Sequence, residues 1–328
     1  MSAKISVEQV LIDPVRSSVE LPHSVMLYPL GFPLRLETNS ENVIRAARES
    51  WAEFPRSFDE PAIRLSLGVE GRGVALPPPP TFLSREHLMS IVSDTENSVM
   101  CDMKQGFAFG WVTESVAAAR PFFRYHFLDA AILTMILQLH LTPVHGGLVE
   151  LKGHGILLCG DSCAGKSTLT YACARAGWTL ICDDGTFLVR RRMDRYGIGN
   201  PFYLRFREDA RFLFPELRSQ LTETRPNGKI GIEVATRDLA GIVTATGSAI
   251  EHVVFLNRHG GGDARLVTLP RSEALDRLQN ATHFGLESVR EEHWQAHRRL
   301  LTGGVWQLNY GDLESAVQRL ATLASKGN

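Results

Sequence analysis

The sequence predicts an α/β fold from about residue 122 to 328, preceded by a small α+β domain over 1–121. Three observations carry that prediction. An apolar run, a glycine-rich loop and a helical pattern follow one another over 156–176. Strand-like and helix-like segments alternate from there onward, and ahead of residue 121 several strand-like runs surround a single helical one. The bulk composition agrees with a globular chain: 44% apolar and 22% charged residues in a length of 328. With 35 basic against 36 acidic residues the formal net charge is -1. No basic field suits a nucleic acid, so none is expected as a partner.

In the first part, 25–38 reads as strand material broken by Pro29 and Pro33. Asn39 or Ser40 then caps a helix through Trp51, with Ile44 and Ala47 on its inner face. The stretch 61–68 reads as a strand. The proline-ended stretch 71–80 should be an exposed loop. The runs 97–101 and 107–113 look like strands joined by a turn at 104–106. From Phe122 the texture changes, and 124–140 is a helical pattern apolar on most faces. A paired-strand signal follows at 147–151 and 156–159, then a helix over 166–176, Gly177 as its stop, and a strand at 179–182. Further strands are expected at 185–189, 231–234 and 252–256, with helices at 271–279 and 313–323.

Targeting signals and metal clusters are not legible. Residues 1–14 alternate polar and apolar types without a leader pattern. The most apolar stretch, 127–144, contains Asp129, Gln138 and His140, and is too short and polar for a membrane span. A soluble, cytoplasmic protein with no membrane partner is expected. Five cysteines (Cys101, Cys159, Cys163, Cys173, Cys182) form no CxxC pair, which argues against zinc and for buried reduced thiols. Arg190, Arg191 and Arg192 read either as a solvated turn or as a grip on an acidic or phosphorylated substrate.

Gly160-Asp161-Ser162-Cys163-Ala164-Gly165-Lys166-Ser167, with Thr168 next, fits G-x-x-x-x-G-K-[ST] between a strand and a helix. Amides of such a loop converge on phosphate oxygens, aided by the positive end of the helix. Lys166 would reach the β- and γ-phosphates of a nucleoside triphosphate, and the Ser167 hydroxyl would coordinate Mg²⁺. Asp183 and Asp184 end the strand at 179–182. If that strand is the parallel neighbour of the one entering the loop, both carboxylates face the phosphates, one for the metal and one as base. The same residues would also suit a solvated turn closing a hairpin. His145, in Pro143-Val144-His145-Gly146-Gly147, reads from its surroundings as a turn residue more readily than as a catalyst.

Taken together, His145-Gly146, the strand pair, GDSCAGKST, the helix and Asp183-Asp184 resemble the catalytic domain of bacterial HPr kinase/phosphorylase and its related kinases. The resemblance is clear over 143–189, weaker over 227–265, and absent from 1–121. It implies a P-loop kinase domain of the HPr kinase/PEP carboxykinase type that uses ATP and Mg²⁺ to phosphorylate a serine on a protein or peptide. It makes Asp184 the base, Asp183 and Ser167 metal ligands, and His145 and Arg265 active-site residues. It also implies homo-oligomers. The family's Arg-Gly-Leu-Gly loop reads here as 224–230, its metal-binding Glu is replaced at most by Glu223 or Glu233, and Lys229 stands in for the loop's charge. The segment tied to phosphorolysis is not recognisable at 282–289, so a kinase without that reverse activity is expected. A nucleotide sensor without turnover, or a kinase tailoring a small molecule or peptide, remain as alternatives.

Overall fold

A computed structural model describes residues 19–325, apart from 74, 193, 227, 260 and 281–286. The readings of 1–14 and of 282–286 therefore lie outside the described residues, as does Asn227. Two mixed sheets and one small sheet are flanked by helices, so the chain is α/β.

The first sheet holds β1 (His23–Leu27), β2 (Leu34–Thr38), β3 (Ile63–Val69), β4 (Thr81–Arg85), β5 (Leu88–Val92), β6 (Ser98–Asp102) and β7 (Phe107–Val112), in the order β1-β2-β3-β7-β6-β5-β4. Pro29 and Pro33 do separate β1 from β2, and β6 pairs antiparallel with β7 across the expected turn. The β4–β5 hairpin was not expected; it follows the proline run and turns at Glu86, whose φ is 53°. Helix α1 (Glu41–Trp51) buries Val43, Ile44, Ala46, Ala47 and Trp51 against the sheet. Ser40 occupies its N-cap without a side-chain bond to the helix. The Asn39 amide is drawn away to β3, where it donates to the Val69 carbonyl at 3.0 Å and accepts from the Val69 N–H at 2.7 Å.

Two short helices, α2 (Glu114–Ala118) and α3 (Arg120–Phe123), lead through a wide-pitched turn at Arg124–Leu128 into α4 (Asp129–Leu139). Phe127, Leu128, Ala131, Ile132, Met135 and Ile136 join the core of the first sheet, and Val189 and Ile198 reach it from the second. Burial on several sides explains why this helix is apolar almost all round.

The second sheet begins with the eleven-residue β8 (Leu141–Leu151) and β9 (His154–Cys159). Helix α5 (Lys166–Arg175) follows the loop, and then come β10 (Thr179–Cys182), β11 (Gly185–Val189) and β12 (Tyr196–Ile198). A small sheet of β13 (Tyr203–Phe206), β14 (Glu223–Thr224) and β15 (Ile230–Ala235) packs with α6 (Ala210–Leu213) against α5 through Tyr171, Ala174, Leu204, Phe206 and Phe214. The chain returns to the large sheet with β16 (Val243–Thr244), β17 (Gly247–Arg258) and β18 (Arg265–Thr268). It closes with α7 (Arg271–Asn280), α8 (Glu287–Leu300), β19 (Gly304–Tyr310) and α9 (Leu313–Ala324).

Alternation along the central strands sets the layers. On β9, Ile156 and Leu158 face the core shared with Leu169 of α5 and Leu320 of α9. Leu157 and Cys159 face the opposite core, with Leu278 of α7 and Leu300 of α8. The strand at 179–182 is not the neighbour of the loop strand. The long β8 lies between them, antiparallel to both β10 and β9. Two reversals restore the direction, so β10 and β9 run the same way and end on one edge.

Arg190 is neither solvated nor available to a substrate. It is buried, and its guanidinium donates to the carbonyls of Leu137, Gln138 and Leu141 and pairs with Glu292 at 2.9 Å. It thereby closes the C-terminal end of α4, where carbonyls lack helical partners. Burial holds its pKa down at about 10. Arg190→Met should cost about 3 kcal/mol in chemical denaturation, because three carbonyls lose a charged donor together. Arg191→Met, which removes only an exposed pair with Glu60, should stay within about 0.5 kcal/mol of the native chain.

Candidate functional site

Lys166 opens α5, and its side chain, 5% exposed, folds back under the loop. Its ammonium donates to the carbonyls of Gly160 at 2.8 Å and Asp161 at 3.0 Å and stands 4.0 Å from Asp184 Oδ1. Desolvation lowers its pKa, with Asp184 the largest opposing influence. A buried ammonium held by two neutral carbonyls and one carboxylate is short of negative charge. Above it, α5 begins at Gly165 with no side-chain cap, so the N–H groups of its first turn are open to an anion. The loop therefore fits a phosphate on this structure's own geometry.

The carboxylates differ in setting. Asp184 is half exposed, with His145 Nδ1 at 3.4 Å from the same oxygen that faces Lys166. His145 is on β8 opposite Gly185 of β11, so the β8–β11 pairing places the histidine beside the turn that carries Asp184. Asp183 is buried, and its Oδ2 accepts the Arg205 N–H at 3.0 Å. Burial, then that hydrogen bond in the opposite sense and the charge of Asp184, leave the Asp183 carboxyl up at about 6. Gly147 makes the close packing here achievable: a Cβ on it would lie 2.3 Å from Thr170 Oγ1 and 2.8 Å from the Asp183 carbonyl.

The raised carboxyl of Asp183 has a consequence for stability. Because the folded state holds the proton to a higher pH than the ordinary 3.8, the stability of the protonated form is full below about 4 and is lost as pH rises through 6. Asparagine imitates the protonated form and can still accept from the Arg205 N–H. Asp183→Asn should therefore be more stable than the native chain by about 3 kcal/mol at pH 8. Thermal melts across pH should show the gain shrinking below 6 and vanishing near 4. A destabilised variant at pH 8 would contradict the buried setting.

Lys166, Asp183, Asp184 and His145 are thus brought to one sheet edge beside Gly160–Thr168. Ser167 and Thr168 are half-buried in the first turn of α5. Cys163 is exposed, with φ of 73°, and the other four cysteines are buried, unpaired thiols. Arg265 is exposed on the edge strand β18, opposite Asn309, and among the described residues no hydrogen bond or ion pair joins it to the loop or the carboxylates. Glu233 is already engaged by Arg205 at 2.7 Å, and Glu223 is exposed on β14. Among the described residues no three His, Cys, Asp or Glu side chains converge to hold a metal. A cation here would take most of its ligands from phosphate and water, with Ser167 and Asp183 as hard oxygen donors. Two participants were not legible beforehand. The Arg205 backbone fixes Asp183, and the Tyr310 hydroxyl reaches the loop from β19, donating to the Ala164 carbonyl at 2.9 Å.

Among the described residues no helix is long and apolar enough to cross a membrane. No family profile matches the chain. A solved HPr(Ser) kinase/phosphatase from Coxiella burnetii aligns over 56% of this chain and 99% of its own, at 13% identity. The TM-score is 0.29, and a superposition that loose supports no conclusion. A curated HPr kinase/phosphorylase from Halalkalibacterium halodurans is 37% identical over 68 residues, 20% of this chain. The match spans 22% of that relative's length. Within that matched span, the chain is HPr kinase/phosphorylase-like, in agreement with the resemblance carried by its loop and paired aspartates.

Proposed function

We propose that this chain is a kinase that uses ATP and Mg²⁺ to phosphorylate a serine hydroxyl of a protein or peptide. The observation that carries the reading is the row Lys166–Asp184–His145, with one carboxylate oxygen 4.0 Å from the ammonium and 3.4 Å from the imidazole at the mouth of an uncapped phosphate loop. Lys166 binds and neutralises the terminal phosphates, exchanging two carbonyl partners for charged oxygens. Asp184, half exposed, accepts the proton of the incoming hydroxyl as its oxygen bonds to the γ-phosphorus and the bond to the bridging oxygen breaks. His145 holds Asp184 in line and keeps its charge local. Asp183 and Ser167 would hold Mg²⁺, which supplies charge neutralisation on the phosphates.

In this reading the kinase chemistry lies within 122–328, whose α4 shares a core with the sheet of the first part, and catalysis is assigned to the row at the loop rather than to Arg265. Transfer runs in one direction in this reading, without phosphorolysis, because the segment tied to that reverse activity is not recognisable at 282–289. A cytoplasmic setting follows from the need for ATP. The test is incubation with γ-labelled ATP, Mg²⁺ and fractionated cell protein. Label should enter phosphoserine, and its incorporation should fall by at least about a hundredfold with Asp184→Asn. Tight ATP binding with no transfer to any fraction would replace the kinase with a nucleotide sensor.

A further inference from the structure

Tyr310 ends β19, far from the loop in sequence and buried at 3% exposure. Its hydroxyl donates to the Ala164 carbonyl at 2.9 Å. That carbonyl belongs to the same peptide unit as the N–H of Gly165, the residue at the N-cap of α5. In a trans peptide, C=O and N–H point in opposite directions, and the chain has no cis peptide bonds among its described residues. A hydroxyl that draws the Ala164 carbonyl toward the core therefore turns the Gly165 N–H away from the core, toward the mouth of the loop.

Gly165 completes the fit. Its φ is +94°, and a Cβ there would lie 2.4 Å from the Tyr310 oxygen, the next nearest atom being the ring carbon at 3.7 Å. Tyrosine and glycine thus occupy one complementary contact. Tyr310 is itself held from behind. Its carbonyl accepts the His259 N–H at 2.9 Å, and two residues on, Asp312 caps α9 by accepting the Ser315 N–H at 2.6 Å. The hydroxyl is mounted on a braced corner, and burial pushes its pKa up to about 12, so it stays a donor throughout the neutral range.

We infer that Tyr310 is a positioning residue for the phosphate loop: its hydroxyl orients the Ala164–Gly165 peptide so that the Gly165 N–H is aimed at a bound phosphate. The inference rests on the proposed nucleotide site. It assigns to a residue outside the loop part of the loop's affinity for nucleotide phosphates.

Tyr310→Phe removes one oxygen and keeps the ring. One neutral hydrogen bond that preorganises a donor corresponds to about a three- to tenfold change in affinity. Calorimetry on the full chain should show Mg-ATP and Mg-ADP both binding three- to tenfold more weakly to the variant. In turnover the KM for ATP should rise by the same factor, while kcat at saturation and the KM for the acceptor stay within about twofold. A residue that merely stabilised the fold would lower the melting temperature of the nucleotide-free protein and leave nucleotide affinity at 25 °C unchanged. A second variant reads the contact from the other side. Gly165→Ala should lose nucleotide binding, and adding Tyr310→Phe should recover part of the stability lost through the 2.4 Å clash. Affinity within twofold of the native chain in Tyr310→Phe would overturn this inference alone. Absence of any Mg-ATP binding by the native chain would overturn the nucleotide reading and this inference with it.

Discussion

Lys166→Met should lower phosphoryl transfer by about a hundred- to a thousandfold, the loss expected when a preorganised charge on a transferring group is removed. Nucleotide affinity should fall alongside, because the ammonium acts on bound substrate as well as on the transition state. The fold should suffer only modestly. The carbonyls of Gly160 and Asp161 lose a charged donor, but methionine has a similar shape and removes a buried charge that desolvation opposes. The two effects offset in part, so the nucleotide-free variant should lose no more than about 2 kcal/mol. Calorimetry with Mg-ATP, a melt and a label-transfer assay measure the three effects separately. Lost transfer accompanied by a collapsed melt would mean that Lys166 is a structural cation, and retained transfer would remove the loop from the chemistry.

The loop was legible because its requirements are local. Two glycines, a lysine and a hydroxyl residue stand within eight positions, and the flanking strand and helix follow from patterns a few residues long. The paired aspartates were legible for the same reason, as the residues that end a short apolar strand. What joins them to the loop was not local. The inserted β8 separates β10 from β9, and nothing in the composition of 147–151 shows on which side that strand will pair. The edge they share survives only because two antiparallel steps restore direction. Arg190 looked solvated because its run of three arginines looks solvated, while its partners, 49 to 53 positions earlier, are backbone carbonyls that have no sequence signature. Tyr310 was missed likewise, since its acceptor is the carbonyl of an alanine 146 residues earlier. Side-chain motifs declare themselves in a sequence; the backbone groups that side chains serve do not.

Asp184→Asn should separate chemistry from binding and divide the labour of the two carboxylates. Transfer should fall by about a hundred- to ten-thousandfold, the range for loss of a positioned base. Mg-ATP affinity should stay level or improve, because a negative charge 4.0 Å from the Lys166 ammonium no longer competes with phosphate for it. Stability should barely move, since Asp184 is half exposed and its ion pairs are solvent-screened. Asp183→Asn should behave in the opposite manner on two of these counts. It should gain stability at pH 8 through the loss of a buried charge, and it should raise the Mg²⁺ concentration needed for activity, because the amide oxygen that replaces the carboxylate carries no charge. The contrast turns on burial alone, because the residues are adjacent and chemically identical. A base must meet an acceptor arriving from solvent, and among the two only Asp184 has an oxygen that solvent can reach while it faces both Lys166 and His145. If Asp183→Asn instead abolished transfer at unchanged Mg²⁺ requirement while Asp184→Asn kept it, the buried carboxyl would be the base and the exposed one the ligand.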